Sequence, residues 1–231
     1  LHVYYFHKFN SFDYHIYVMS ISLAVLILIL LNIYISFKGF KDIIYFEKFH
    51  FNIKSIKNGE YYRFISSGFL HVDNQHLLFN MLTFYFFGDF VLNALGIFWF
   101  YILYIFCLLS GNIFCYLINY QKNNYSAVGA SGAVTGILFS AILFYPDLQL
   151  ALLFFPIPMP GYFFAIIYLA YTFYGIKKQN DGIGHSAHLG GALGGIVLSL
   201  FYNPNIVISS FKTLVLMIVV IFIGIIYFKK K

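Results

Sequence analysis

The sequence predicts an all-α, polytopic membrane bundle, on three observations. Hydrophobic residues make up 61% of the 231-residue chain and charged residues only 10%, too few polar groups to clothe a water-soluble globule of this size. Apolar runs of ~20 residues recur along it, the length a helix needs to cross ~30 Å of hydrocarbon. Glycines also repeat at four-residue spacing inside apolar segments, as at Gly190, Gly191, Gly194 and Gly195, a pattern that lets helix backbones approach closely within lipid.

Backbone groups in lipid must be satisfied within their own element, so the apolar runs are read as helices. An N-terminal extension, 1–13, leads into a first span at 14–37, and no cleavable signal peptide is evident. The interval 38–75 holds five lysines, Arg63 and many aromatics, a mixture suited to a loop with an interfacial helix at the headgroups. Spans follow at 76–96, 98–120, 128–145, 161–177 and 185–202, with Pro146, Pro156, Pro158 and Pro160 breaking the helix between the fourth and fifth. A seventh run, 209–228, lies in a C-terminal segment, 205–231, that ends in a basic tail. The domain boundaries expected are therefore 1–13, a membrane core at 14–204, and 205–231. No transporter-type internal repeat is visible.

The formal charge of +6 does not indicate a nucleic-acid partner, because the lysines flank apolar runs and anchor at membrane edges instead of forming a basic surface. The lipid bilayer is the partner composition implies. Cys107 and Cys115 share one apolar run and read as small buried side chains.

Ser131 is the most informative residue. It stands in Gly129-Ala130-Ser131-Gly132-Ala133-Val134-Thr135-Gly136, where glycines strip bulk from around a hydroxyl and Gly132 with Gly136 forms a small-residue face. A serine in such a helix serves packing or backbone hydrogen bonding unless a base accompanies it. His188 supplies that base. It opens a span whose glycines allow tight packing on the serine helix, and one intervening span places both residues at the N-terminal ends of parallel helices, hence at similar depth. A histidine in a membrane marks a functional site by default. His185, one turn earlier, reads as an interfacial or capping residue. His76 and Asn80, four apart, share a helix face and suit either a polar clamp between helices or donors to a developing oxyanion.

These motifs resemble the rhomboid family of intramembrane serine proteases over about Tyr62 to Leu200. Gly129 to Gly132 match the family's Gly-x-Ser-Gly, Ala187-His188 its Ala-His helix start, and His76 with Asn80 its His-x-x-x-Asn; His71 matches a further loop histidine, and Tyr62-Arg63 a Trp-Arg pair. The resemblance implies a six-helix core with 209–228 appended, Ser131 as nucleophile, and His188 as general base. It also implies an oxyanion site from His76, Asn80 and the Ser131 N–H, with Gly129, Gly132, Arg63, His71 and Gly191 in support. Thr135 departs from the pattern, since many relatives carry Tyr or Phe one turn after the serine, against the catalytic ring. Leu92 replaces a carboxylate often found low in the second span, and Asp89, one turn earlier, is a candidate for its structural role.

The function implied is cleavage of single-span membrane proteins by a Ser131/His188 dyad without cofactor or metal, with the fifth span, carrying Phe163, Phe164, Tyr168, Tyr171 and Phe173, as a lateral gate. Two alternatives stay open: a metal-dependent membrane enzyme or transporter using His71, His76, His185 and His188, and an inactive rhomboid-like protein that captures helices. The expected location is a bacterial inner membrane. All Lys and Arg except Lys8 and Lys212 fall on the side of Ser131, which by the positive-inside rule is cytoplasmic; the resemblance implies the opposite face and is preferred. Neither substrate nor oligomeric state is written in the sequence.

Overall fold

The computed structural model describes residues 21–152, 155–178 and 182–229. The N-terminal extension 1–13 and the first residues of the expected first span lie outside the described residues. Helix α1 (Leu23–Lys41) starts where Ser22 caps it, the hydroxyl accepting the Val25 N–H at 3.4 Å, and ends among Lys38 and Lys41. Asp89 reaches the same end and accepts the Ser22 N–H at 3.2 Å. A carboxylate at a helix N-terminus is favourably placed against the helix dipole, so Asp89 has a structural task here.

The interval after α1 folds into short pieces: α2 (Ile43–Phe49), β1 (Phe51–Asn52), α3 (Ile53–Lys57), α4 (Arg63–Ser66) and a 3-10 turn (Ser67–Phe69). Helix α2 buries none of its residues, and Ile43 and Ile44 are 68% and 79% exposed. Apolar side chains turned outward beside Lys41 and Lys48 suit a helix at the headgroup boundary.

The expected second and third spans form α5 (Asn74–Asn119), two helical arms meeting at Gly96 (φ 73°, ψ 165°). Phe84 meets Phe100 with ring centroids 6.0 Å apart and Tyr104 at 5.3 Å, so the arms lie folded back side by side. An added Cβ at Gly96 would meet nothing; glycine is needed there only for its positive φ. Strand β2 (Ser126–Ala127) then pairs antiparallel with β1, Phe51 opposite Ala127, and fastens the loop layer to the chain entering the next helix.

That helix, α6 (Ser131–Phe144), is the central peg, with every residue from Gly132 to Leu143 buried. It rises about 21 Å, less than the ~30 Å of a hydrocarbon core. Strands β3 (Gln149–Leu152) and β4 (Phe155–Pro160) form a hairpin at its far end. The prolines expected only to break helices lie partly in this two-stranded unit, where every strand is an edge and tolerates them. Helices α7 (Gly161–Lys178), α8 (His185–Tyr202), α9 (Ile206–Ser209) and α10 (Phe211–Lys229) complete the chain. The architecture is the expected all-α bundle. The appended helix α10 runs parallel to α7: Lys212 lies over the Tyr162 ring at one end (4.2 Å) and Lys177 over Tyr227 at the other (4.1 Å).

The closest packing joins α6, α8 and the second arm of α5. An added Cβ at Gly191 would lie 2.9 Å from the Gly132 Cα, and one at Gly195 2.9 Å from the Gly136 Cα. At Gly190 it would lie 2.9 Å from the Gly111 Cα, and at Gly194 3.4 Å from the Cys107 Cα. The four glycines of α8 thus serve two neighbours: Gly191 and Gly195 face α6, as the sequence suggests, while Gly190 and Gly194 face α5. Ser199 and Ser140 add a 2.9 Å hydroxyl bond across the same seam. Gly191→Ala forces backbone against backbone, and overpacking of this kind costs about 1–3 kcal/mol. The variant should melt several degrees below wild type in detergent, whereas Gly59→Ala, at a position with open space and an unfavourable φ of 98°, should lose less.

Candidate active site

Ser131 is the first residue of α6, and Ala130 before it offers no capping oxygen. The first N–H groups of a helix have no intrahelical acceptor, so this start leaves donors around the serine without a side-chain cap. Gly129 precedes them at φ 127°, a conformation that favours glycine. An added Cβ there would lie 2.6 Å from Cε1 of His76, so the imidazole of His76 rests directly on the serine loop.

His76 is held on the first turn of α5 by Asp73, whose carboxylate accepts the His76 N–H at 2.7 Å. Among the described residues its Nδ1 is buried with no hydrogen-bond partner. Buried polar atoms are rarely left so. Asn80, one turn on and buried, donates through Nδ2 to the His76 carbonyl at 3.1 Å. The two residues share a face as the spacing predicts, with the amide engaged on its own helix.

His71 ties the serine loop down from the other side. Ser36 Oγ donates to the Phe69 carbonyl (3.0 Å) and lies 2.8 Å from His71 Nδ1; the Ala130 N–H donates to His71 Nε2 at 3.5 Å. With the Ser36 proton directed at Phe69, His71 carries its proton on Nδ1 and accepts on Nε2. Burial, and secondarily the neighbouring His76, pushes its pKa down to about 3. The Gly129 N–H donates to the Ser67 carbonyl at 3.0 Å, and Asn112 Nδ2 bonds Ser67 Oγ (3.2 Å) and the Phe64 carbonyl (2.7 Å).

Arg63 holds the layer above. It is buried, meets Glu60 at 2.7 Å, and donates to the carbonyls of Glu47 (3.0 Å) and His50 (2.6 Å). The Arg63 guanidinium, then the Tyr62 hydroxyl, holds the Glu60 carboxyl below its ordinary range. Tyr62 itself donates toward Glu60 (2.8 Å) and the Lys48 carbonyl (3.0 Å) in the same layer.

His188 lies one turn into α8, and its backbone N–H bonds the Gly184 carbonyl at 3.1 Å. An added Cβ at Gly132 would lie 3.4 Å from the Ala187 carbonyl oxygen. The sequence neighbours of Ser131 and His188 therefore touch, and both residues sit at one end of one helix seam. Nδ1 of His188 lies 3.0 Å from the Tyr168 hydroxyl, which lies 3.0 Å from Thr135 Oγ1; the Tyr168 and His188 rings stack at 28°.

One expectation changes. His185 is not interfacial: it is 2% exposed, its ring seated against Gly175 of α7 and edge-on to Tyr171 (4.9 Å), because the missing Cβ at 175 leaves a notch for it. Of the α7 aromatics, Phe163 and Tyr171 face outward, but Phe173 is buried and Tyr168 points at His188. The signal for Tyr168 was indirect: the ring absent at Thr135 had to be supplied from elsewhere. Among the described residues no three His, Cys, Asp or Glu side chains are gathered as metal ligands.

Fold and site define an integral membrane protein of the helical-bundle class, with its polar side chains converging at one end of an apolar seam. The Rhomboid domain family matches residues 58–205, and the chain belongs to that family. It is 30% identical to mitochondrial RHOMBOID-like protein 12 of Arabidopsis thaliana over 73% of this chain and 55% of that protein. It is 30% identical to mitochondrial Rhomboid protein 1 of Saccharomyces cerevisiae over 62% and 42%, and 33% identical to the rhomboid homologue YdcA of Bacillus subtilis over 62% and 68%. The chain thus spans about half the length of the two mitochondrial relatives. Membership supports a function of the intramembrane-protease kind. Mitochondrial and bacterial relatives alike support an integral membrane protein and select no compartment.

The folded protein keeps His71 neutral to about pH 3, against 6.5 for the unperturbed group. Its contribution to stability is present above about pH 6.5 and is lost progressively as pH falls toward 3. Melting temperatures of wild type in detergent should drop across that window, and His71→Gln, which keeps a donor and an acceptor without titrating, should flatten the drop.

Proposed function

We propose that the chain is an intramembrane serine endopeptidase that cleaves single-span membrane proteins through Ser131 and His188. One observation carries the reading: Gly132 on the Ala187 carbonyl and Gly191 on Gly132 bring the starts of α6 and α8 together, with the His76 ring resting on Gly129 beside them. His188 removes the Ser131 proton, Oγ attacks the scissile carbonyl, and the imidazolium protonates the leaving amine before water releases the acyl group. The oxyanion is met by the Ser131 N–H, His76 and Asn80, the last turning away from the His76 carbonyl; the His76 ring resting on Gly129, with Nε2 the nitrogen nearer to it, and the uncapped helix start support this role. Gly129, Gly132, Gly191, His71 and Arg63 hold the geometry. The domain proposed for this activity is the membrane core, 14–204, with α7 as the gate. Neither metal nor cofactor enters the reaction.

The test is cleavage of a fluorescent transmembrane reporter by purified protein. Wild-type turnover should survive chelator and vanish in Ser131→Ala and His188→Ala, while His76→Ala and Asn80→Ala should each lower kcat by about 100-fold, the scale of one lost oxyanion donor. Turnover abolished by chelator would move the activity to a metal centre. Reporter binding without turnover would make the chain a helix-capturing protein.

A further inference from the structure

We infer that Tyr168 is the positioning residue of the base, reaching from α7 to fix the tautomer and plane of His188; this rests on the Ser131/His188 reading above. An imidazole that takes a proton on one nitrogen must already carry one on the other, and the partner of that second nitrogen decides which is which. Here Nδ1 faces the Tyr168 hydroxyl at 3.0 Å, and that hydroxyl faces Thr135 Oγ1 at 3.0 Å. Nδ1–H donates to the phenol oxygen, the phenol proton passes its bond on to Thr135, and Nε2 is left as the basic nitrogen. The reversed chain, with the phenol donating to Nδ1, puts the proton on Nε2 and removes the base.

The phenol is itself fixed. Phe164 stacks on it at 5.9 Å and 27°, and Phe139 meets it edge-on at 5.8 Å. Thr135 fits the same arrangement: a hydroxyl small enough to admit the head of Tyr168 one turn after the serine, and able to accept its bond. The proton balance is closed. When the Ser131 O–H bond breaks, a new N–H bond forms at Nε2, and the imidazolium keeps its Nδ1–H bond to a phenol that neither gains nor loses a proton. Tyr168 touches neither substrate nor reacting atoms and acts through His188.

The experiment compares wild type, Tyr168→Phe, Thr135→Val and the double variant for kcat and KM on the transmembrane reporter, for the rate of Ser131 labelling by a fluorophosphonate, and for melting temperature. Tyr168→Phe should lower kcat and labelling rate together by about 10- to 100-fold, with KM within about twofold and an unchanged melt. Thr135→Val should fall by less, and the double variant should fall no further than Tyr168→Phe, since both break one relay. Wild-type labelling in Tyr168→Phe, or a loss confined to KM, overturns the proposal, the latter assigning Tyr168 to substrate admission. If Tyr168→Phe melts far below wild type, Thr135→Val decides: unchanged labelling overturns the relay. Failure of the underlying reading shows elsewhere, as wild type that neither cleaves nor labels, or as labelling that persists in Ser131→Ala.

Discussion

Everything at the candidate site depends on one constraint, the contact of two helix backbones inside an apolar medium. Lipid chains are as apolar as leucine, so helices there are held by dispersion, by hydrogen bonds and by how closely their backbones approach. Removing Cβ at Gly132, Gly136, Gly191 and Gly195 lets α6 and α8 meet backbone to backbone. The spacing of four in each helix repeats that contact one turn further on, which fixes the sliding register as well as the distance. With register fixed, the residues just outside the first contact, Ser131 and His188, have no freedom of depth. The same α8 turns its other glycines to Gly111 and Cys107, so the seam is locked against α5 too.

A seam this apolar cannot supply the polar groups that hold a reacting loop, and the chain provides them in a separate layer at one end. Arg63 gathers the carbonyls of Glu47 and His50 with the Glu60 carboxylate; Asn112 and Ser67 carry the link inward; Ser67 and His71 receive the N–H groups of Gly129 and Ala130. Each buried polar atom in this path meets a partner, which matters because an unmatched one costs about 1–3 kcal/mol. Beyond this path, among the described residues, Asn32 Oδ1, Asn119 Oδ1 and His76 Nδ1 are buried without one, and the His76 ring closes the path against Gly129.

Much of this was legible in sequence, and the parts that were not share a physical cause. The break expected between spans 76–96 and 98–120 falls at the Gly96 hinge, Ser131 opens α6 and His188 lies in the first turns of α8, and the loop chemistry of 38–75 announced itself through lysine and aromatic content. Faces were harder to read. In a helix apolar all round, hydrophobic periodicity does not say which side meets protein and which meets lipid, so the glycines of α8 could not be divided between α5 and α6. For the same reason Tyr168 could not be told from its outward neighbours, nor His185 from an interfacial residue. Those assignments need the partner helix: Gly175 for His185, Thr135 for Tyr168.

The medium also bears on which group can orient a histidine there. An aspartate beside the imidazole, as in soluble hydrolases, would place a charge among apolar side chains, where the desolvation of each ion amounts to several kcal/mol, and intramembrane carboxylates are correspondingly rare. A phenol carries the same directional oxygen without a charge. Its ring, stacked on Phe164 and His188, adds apolar contact instead of a desolvated ion. The neutral phenol holds an imidazolium less strongly than a carboxylate does, so such a site relies more on uncapped N–H groups, His76 and Asn80 to stabilise charge at the substrate. That is where this chain leaves donors available: at the start of α6, which carries no side-chain cap, and at His76, held in place by Asp73 on its backbone with Nε2 turned toward Gly129.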